Sequence, residues 1–166
     1  MTAEDYERLT AWWRARPRAI AVLAAVNRVL TAVGWVAYPL LLLASALADM
    51  GALFRYIVVP LLGFIACTLI RRAVDEPRPY EALPIEPLIV KDTRGKSFPS
   101  RHVFSMVMIA LSWLTWCWPA GLALLVACVV MAWARVLGGV HYLHDVVAGA
   151  ALAGCFALVG YVFVGL

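Results

Sequence analysis

Three short polar groups hold the residues of this chain that could do chemistry. The first is Arg71 with Arg78-Pro79, and the second is Pro99-Ser100-Arg101-His102. The third is Arg135 with His141 and Asp145. Guanidinium groups grip phosphate oxygens in pairs and stay charged. Imidazoles beside them supply a nucleophile and a general acid. Together these types read as a pocket for a phosphoryl group. His141 and Asp145 lie four apart and can hydrogen-bond across the start of a helix. A carboxylate on one ring nitrogen fixes the tautomer and leaves the other nitrogen free to attack. Ser100, at a helix start, adds a hydroxyl to backbone N–H groups that favour anions. His102 would then protonate the departing oxygen.

Other assignments are weaker. His141, His144 and Asp145 share one helix face and have metal-ligating side chains, but Arg71, Arg78, Arg101 and Arg135 would repel a cation, so no metal ligand is expected. Asp145 could simply cap its helix. His144 receives no role. Tyr80, Glu81, Lys91, Arg94 and Lys96 lie in a polar loop that could touch a head group. Gly95-Lys96-Ser97 looks like the end of a phosphate-binding loop. Val90 occupies the glycine position that motif needs, and no strand precedes it, so it is set aside.

The elements that must position these groups are apolar. The chain has 166 residues, 64% of them hydrophobic, and a mean hydropathy of +0.87. Ordinary soluble domains are about 45–50% apolar. The expected fold class is all-α: a polytopic membrane helix bundle with about five spans and an N-terminal interfacial amphipathic helix. Residues 1–166 read as a single integral-membrane domain, with 1–27 as the interfacial segment and 72–100 as the polar active-site loop. The spans are expected at 28–48, 53–71, 101–117, 120–137 and 145–165. Residues 103–134 carry no charge. As one helix they would run about 48 Å, against a hydrocarbon core of about 30 Å. A hairpin at Trp118-Pro119-Ala120-Gly121 resolves this and brings all three polar groups to one membrane face. Four cysteines within apolar runs read as buried structural thiols. The net charge of +4 and the clustered arginines suit an anionic lipid or a phosphorylated head group rather than nucleic acid. Ala148, Gly149, Ala153 and Gly154 suit close helix packing, and a homodimer through that face is an open alternative.

These motifs resemble those of the membrane-bound type 2 phosphatidic acid phosphatase family, related to vanadium haloperoxidases. The family pattern is Lys-x6-Arg-Pro, then Pro-Ser-Gly-His, then Ser-Arg-x5-His-x3-Asp. The chain matches it in order and internal spacing over residues 28–166, as a small bacterial member. The resemblance implies His141 as nucleophile, Asp145 as its partner and His102 as acid. It places Arg71, Arg78, Ser100 and Arg135 on the phosphoryl oxygens, and Arg101 stands beside them. It also implies a phosphohistidine intermediate and no cofactor. Arg71 replaces the family lysine, Arg101 a glycine and Ala134 a serine.

The expected function is therefore hydrolysis of a phosphate monoester or diphosphate on a membrane lipid. A polyprenyl diphosphate such as undecaprenyl diphosphate is the first choice. Phosphatidic acid or phosphatidylglycerophosphate is the second. The three replacements motivate an alternative, a catalytically impaired lipid-phosphate-binding or structural membrane protein. The expected location is the cell membrane. Every Lys and Arg except Arg55 falls on the pocket side, which points that side to the cytoplasm. The resemblance to polyprenyl diphosphate recycling points it outward.

Overall fold

The computed structural model describes residues 2–163. Helices are α1 (Ala3–Arg14), α2 (Pro17–Ala48), α3 (Met50–Val74), α4 (Pro79–Ala82), α5 (Arg101–Trp116), α6 (Trp118–Leu137) and α7 (Leu143–Ala157). A wider π-helical stretch, Leu158–Phe163, continues α7. The end of the fifth expected span, 164–165, lies outside the described residues.

Local chemistry sets the boundaries. Thr2 and Asp5 form a reciprocal capping box that opens α1. Pro17 stands at the first turn of α2, where its missing N–H costs nothing. Asp49 alone separates α2 from α3 and caps α3 through the Gly51 N–H at 2.9 Å. Cys117 is extended and Pro119 opens α6, so the expected hairpin forms by a break of one residue. α3 runs on to Val74, and α4 adds a turn at Pro79 within the loop.

Four stretches are long and apolar enough to cross a bilayer: α2, Met50–Ala82, α6 and Leu143–Val162. α5 has 16 residues, about 24 Å at ~1.5 Å per residue. It is the central helix, with Val103, Phe104, Met106, Met108, Ala110 and Ser112 all buried, and it lies along both α6 and α7. Leu47, Trp35, Val126 and Val147 face outward, as lipid contact requires. The chain is thus a multi-pass membrane helix bundle.

One expected boundary changes. Residues 1–27 are not one interfacial segment: the chain breaks at Ala15–Arg16, and 17–27 are the first turns of α2. Arg18 and Arg28 sit on that helix and obscure its start for a reading based on uncharged runs. α1 also packs more tightly than an interfacial helix needs to. Tyr6 is wholly buried; its hydroxyl donates to the Leu137 carbonyl at 3.0 Å and accepts from the Leu88 N–H at 3.2 Å. α1 thereby ties the polar loop to the end of α6. The cysteines divide as well: Cys67 and Cys128 are buried, whereas Cys117 and Cys155 are exposed.

Gly149 and Ala153 of α7 pack within the subunit, and no observation supports a dimer. Ala153 is fully buried. A Cβ on Gly149 would lie 2.6 Å from the Ser100 carbonyl, whereas one on Gly154 would meet nothing within 4 Å. Gly149→Ala is expected to destabilise the protein by about 1–3 kcal/mol and to lower activity, because it pushes Asp145 on α7 away from Ser100 on α5. Gly154→Ala should leave both unchanged. Thermal unfolding and turnover of the two variants side by side check this.

Candidate active site

The ends of four helices meet at one place. Arg71 closes α3, Ser100 precedes α5, Arg135 closes α6, and Asp145 lies in the first turn of α7. The Ser100 N–H donates to the Asp145 carbonyl at 2.9 Å and joins α5 to α7. Without the hairpin at Cys117, α5 and α6 could not both contribute from this side.

His141 and Asp145 pair as expected. Nδ1 of His141 is 3.2 Å from Asp145 Oδ2, and both residues are buried. A carboxylate only accepts, so Nδ1 carries the hydrogen and Nε2 keeps its lone pair. Burial pushes the His141 imidazole down to about 4. The bond to Asp145 pulls the other way, and Arg78 and Arg135 reinforce burial. The ring is neutral at pH 7. Asp145 Oδ2 also accepts from the Tyr142 N–H at 2.9 Å, so the same carboxylate caps α7.

Ser97 was not foreseen. It is fully buried; its hydroxyl donates to Asp145 Oδ2 at 2.5 Å and lies 3.3 Å from His141 Nδ1. Its partners are 44 and 48 positions away. The run Ser97-Phe98-Pro99-Ser100 carried the only sequence signal, and that signal was taken up by Ser100.

The arginines divide by task. Arg71 is buried and its Nη1 donates to the carbonyls of Ser97, at 3.2 Å, and Pro99. Arg78 is buried too; Nε donates to the Gly95 carbonyl and Nη1 to the Val140 carbonyl, both at 3.1 Å. Glu81 holds this segment by accepting from the N–H groups of Arg78 and Gly95. Arg71 and Arg78 therefore brace the loop and the α6–α7 connection while bringing charge to the site. Arg135 is different. It is 2% exposed, and its Nε and Nη1 meet no acceptor. Ser100 is likewise buried with an unpartnered hydroxyl, although a serine before a helix normally caps it.

Arg101 does not join the buried group. It is exposed, and its guanidinium lies 5.6 Å from the centre of the Phe64 ring. As the first residue of α5, it stands with Phe64 and His102 at the wall of the adjoining cavity. His102 is half-buried, with Arg135, Lys91 and His141 among its electrostatic neighbours. Of the loop candidates, Lys91 is drawn in. Burial pushes its ammonium down to about 8, and Arg135, Arg78, Arg71 and Arg101 add to the shift. Tyr80 donates to the Thr93 carbonyl within the loop. Arg94 and Lys96 are exposed.

A cavity of about 580 Å³ adjoins His102 and Arg101. α2, α3 and α5 line it, through Leu30, Tyr38, Leu61, Phe64, Met106 and Ile109 among others. The wall is almost wholly apolar. The polar groups on this apolar wall include His102 and Arg101.

A sequence profile of the PAP2 superfamily matches residues 52–166, from the start of α3 onward. The chain belongs to the PAP2 superfamily. Every residue of the three motifs lies inside the match. Solved structures share the fold across nearly all of this chain. LpxE of Aquifex aeolicus superposes with a TM-score of 0.75 at 19% identity, covering 96% of this chain and 94% of that one. A PAP2-type phosphatidylglycerolphosphate phosphatase from Bacillus subtilis gives 0.56 at 20% identity, covering 96% and 92%. No curated protein sequence matches significantly. The α1–α2 region lies before the PAP2 match, yet it forms part of the cavity wall and anchors the loop.

Proposed function

We propose that the protein is a lipid phosphatase that cleaves a phosphate monoester or diphosphate on a membrane lipid. Membership of the PAP2 superfamily supports the reaction class. The single observation that carries the reading is the pair of buried, unpartnered donors, Arg135 and Ser100, beside His141. Buried polar groups are almost always satisfied; leaving such donors open makes sense where an anion completes them.

In this mechanism His141 Nε2 attacks phosphorus, and the bond to the lipid oxygen breaks. Asp145 steadies the positive imidazole through Nδ1–H, and Ser97 and Tyr142 hold Asp145 in place. Arg135, Ser100, Arg78 and Arg71 take the phosphoryl oxygens, where negative charge develops. His102 gives a proton to the departing oxygen. The phosphate itself is the anion that lets a proton rest there among so many cations. Water then releases phosphate from His141. No step calls on a metal. Lys91 stands where a second phosphate or the outer oxygens of the first would lie.

The lipid tail enters the apolar cavity between α2, α3 and α5. A polyprenyl diphosphate is the preferred substrate, with phosphatidic acid or phosphatidylglycerophosphate next, and the location is the cell membrane. Phosphate release from purified protein across these lipids tests the reading. Turnover with none of them, alongside retained binding of a lipid phosphate, would favour a binding protein instead. Ser97→Ala should lower kcat about 10–100-fold, as loss of a hydrogen bond worth about 1.5–3 kcal/mol to a charged partner predicts. The same variant should leave KM nearly unchanged, because Ser97 acts through Asp145.

A further inference from the structure

Asp145 has a second side. All of its hydrogen bonds from Ser97, Tyr142 and His141 fall on Oδ2. Its Oδ1 is buried and accepts none. His144 turns Nε2 to 3.1 Å from that oxygen, close enough for an ion pair but not aligned as a hydrogen bond. The same Nε2 lies 3.0 Å from Glu76 Oε1. Ligand atoms from Glu76, His144 and Asp145 all fall within 4.8 Å of one another. Ligands at about 2.0–2.2 Å from a tetrahedral zinc ion stand about 3.3–3.6 Å apart, so small movements would seat one.

The surroundings favour a cation here. The His144 ring is stacked on Tyr142, with centroids 5.2 Å apart, and Phe98 flanks it. This fixes the ring plane, as a ligand histidine needs. Glu76 Oε1 and Asp145 Oδ1 both stand within 3.1 Å of His144 Nε2, so two carboxylates face the point where an ion would sit. Arg71 is within electrostatic reach of Asp145, but its Nη1 is engaged with loop carbonyls. His144 is 56% exposed, so an ion can enter from solvent without crossing the phosphate pocket.

We propose that Glu76, His144 and Asp145 bind a divalent cation of the zinc class, and that its occupation inhibits hydrolysis. One imidazole nitrogen with two carboxylate oxygens is a donor set for such borderline ions. The triad differs from His141–His144–Asp145, which shared a helix face in sequence, because His141 is turned to Oδ2 and Glu76 takes its place. An ion on Oδ1 draws charge from the carboxylate. Oδ2 then supports the His141 Nδ1–H less, and Nε2 becomes a poorer nucleophile. Binding rests on the geometry alone; inhibition rests on the hydrolytic reading above.

Calorimetric titration of the chelator-treated, detergent-solubilised full chain with zinc chloride tests the site. One saturable site is expected, weakened at least tenfold by His144→Ala and by Glu76→Gln and retained in His141→Ala. Both weakened variants should keep basal phosphate release within about twofold and lose zinc inhibition. Equal zinc affinity in wild type and both variants, or loss of binding in His141→Ala, would overturn the site. Zinc binding at the triad without inhibition would overturn the inhibitory role. Should the wild type hydrolyse no lipid phosphate, the functional reading fails while the calorimetry still decides the site.

Discussion

Arg135→Met is expected to remove activity and raise stability together. The methionine keeps much of the length of the side chain and none of its charge. In the wild type, a guanidinium that is 2% exposed leaves Nε and Nη1 without acceptors. Each such group costs about 1–3 kcal/mol when no partner is present. Replacing a buried charge by a well-packed apolar group is often stabilising by about 1–4 kcal/mol. For a chain of this size the melting temperature should rise by about 2–4 °C per kcal/mol. Activity should fall about 10²–10³-fold, the usual effect of losing one donor to a developing oxyanion. Orthophosphate or vanadate should raise the melting temperature of the wild type and leave that of Arg135→Met unmoved. Thermal unfolding of both proteins, with and without the anion, checks the pair of effects. A lower melting temperature in the variant would show that Arg135 is structurally satisfied and does not wait for a ligand.

His141→Ala is expected to reduce turnover by on the order of 10⁴-fold or more, since residues acting as one catalytic unit fail together. Its double with Asp145→Asn should therefore be little slower than the single variant. The buried position of His141 also leaves a small cavity, so the variant needs a folding control. A cooperative thermal unfolding transition in the variant supplies it. Turnover within tenfold of wild type in His141→Ala would remove the imidazole from the mechanism.

Much of this was legible because the signals are local. Uncharged runs give spans, and Trp118-Pro119 breaks a run too long for one bilayer crossing. Counting crossings from there puts Arg71, Ser100, Arg135 and Asp145 on one side, and the structure brings these helix ends together. What was not legible depends on tertiary contacts. Ser97 reaches Asp145 across 48 positions, a contact that only the folded loop makes. Glu76 meets His144 across 68. Arg101 sits within a motif yet lies over Phe64 at the cavity wall, a contact across 37 positions. The start of α2 was hidden by Arg18 and Arg28, which a helix end at the membrane surface tolerates by extending their side chains into water.

The roles of Arg71 and Arg78 were also only half visible. Their charge was plain from sequence, but their work on the carbonyls of Ser97, Pro99, Gly95 and Val140 depends on how the loop folds. The same side chains thus build the pocket and charge it. That double duty leaves Arg135 and Ser100 as the donors with nothing to hold in the free protein.

The most direct measurement is capture of the covalent intermediate. Purified protein would be mixed with a lipid carrying radiolabelled phosphate, quenched within the first turnover in base, and digested. An acid-labile, base-stable label on the peptide containing His141, absent from His141→Ala, is the predicted result. Label on another residue, or steady hydrolysis by the wild type with no labelled histidine at any time point, would contradict the account.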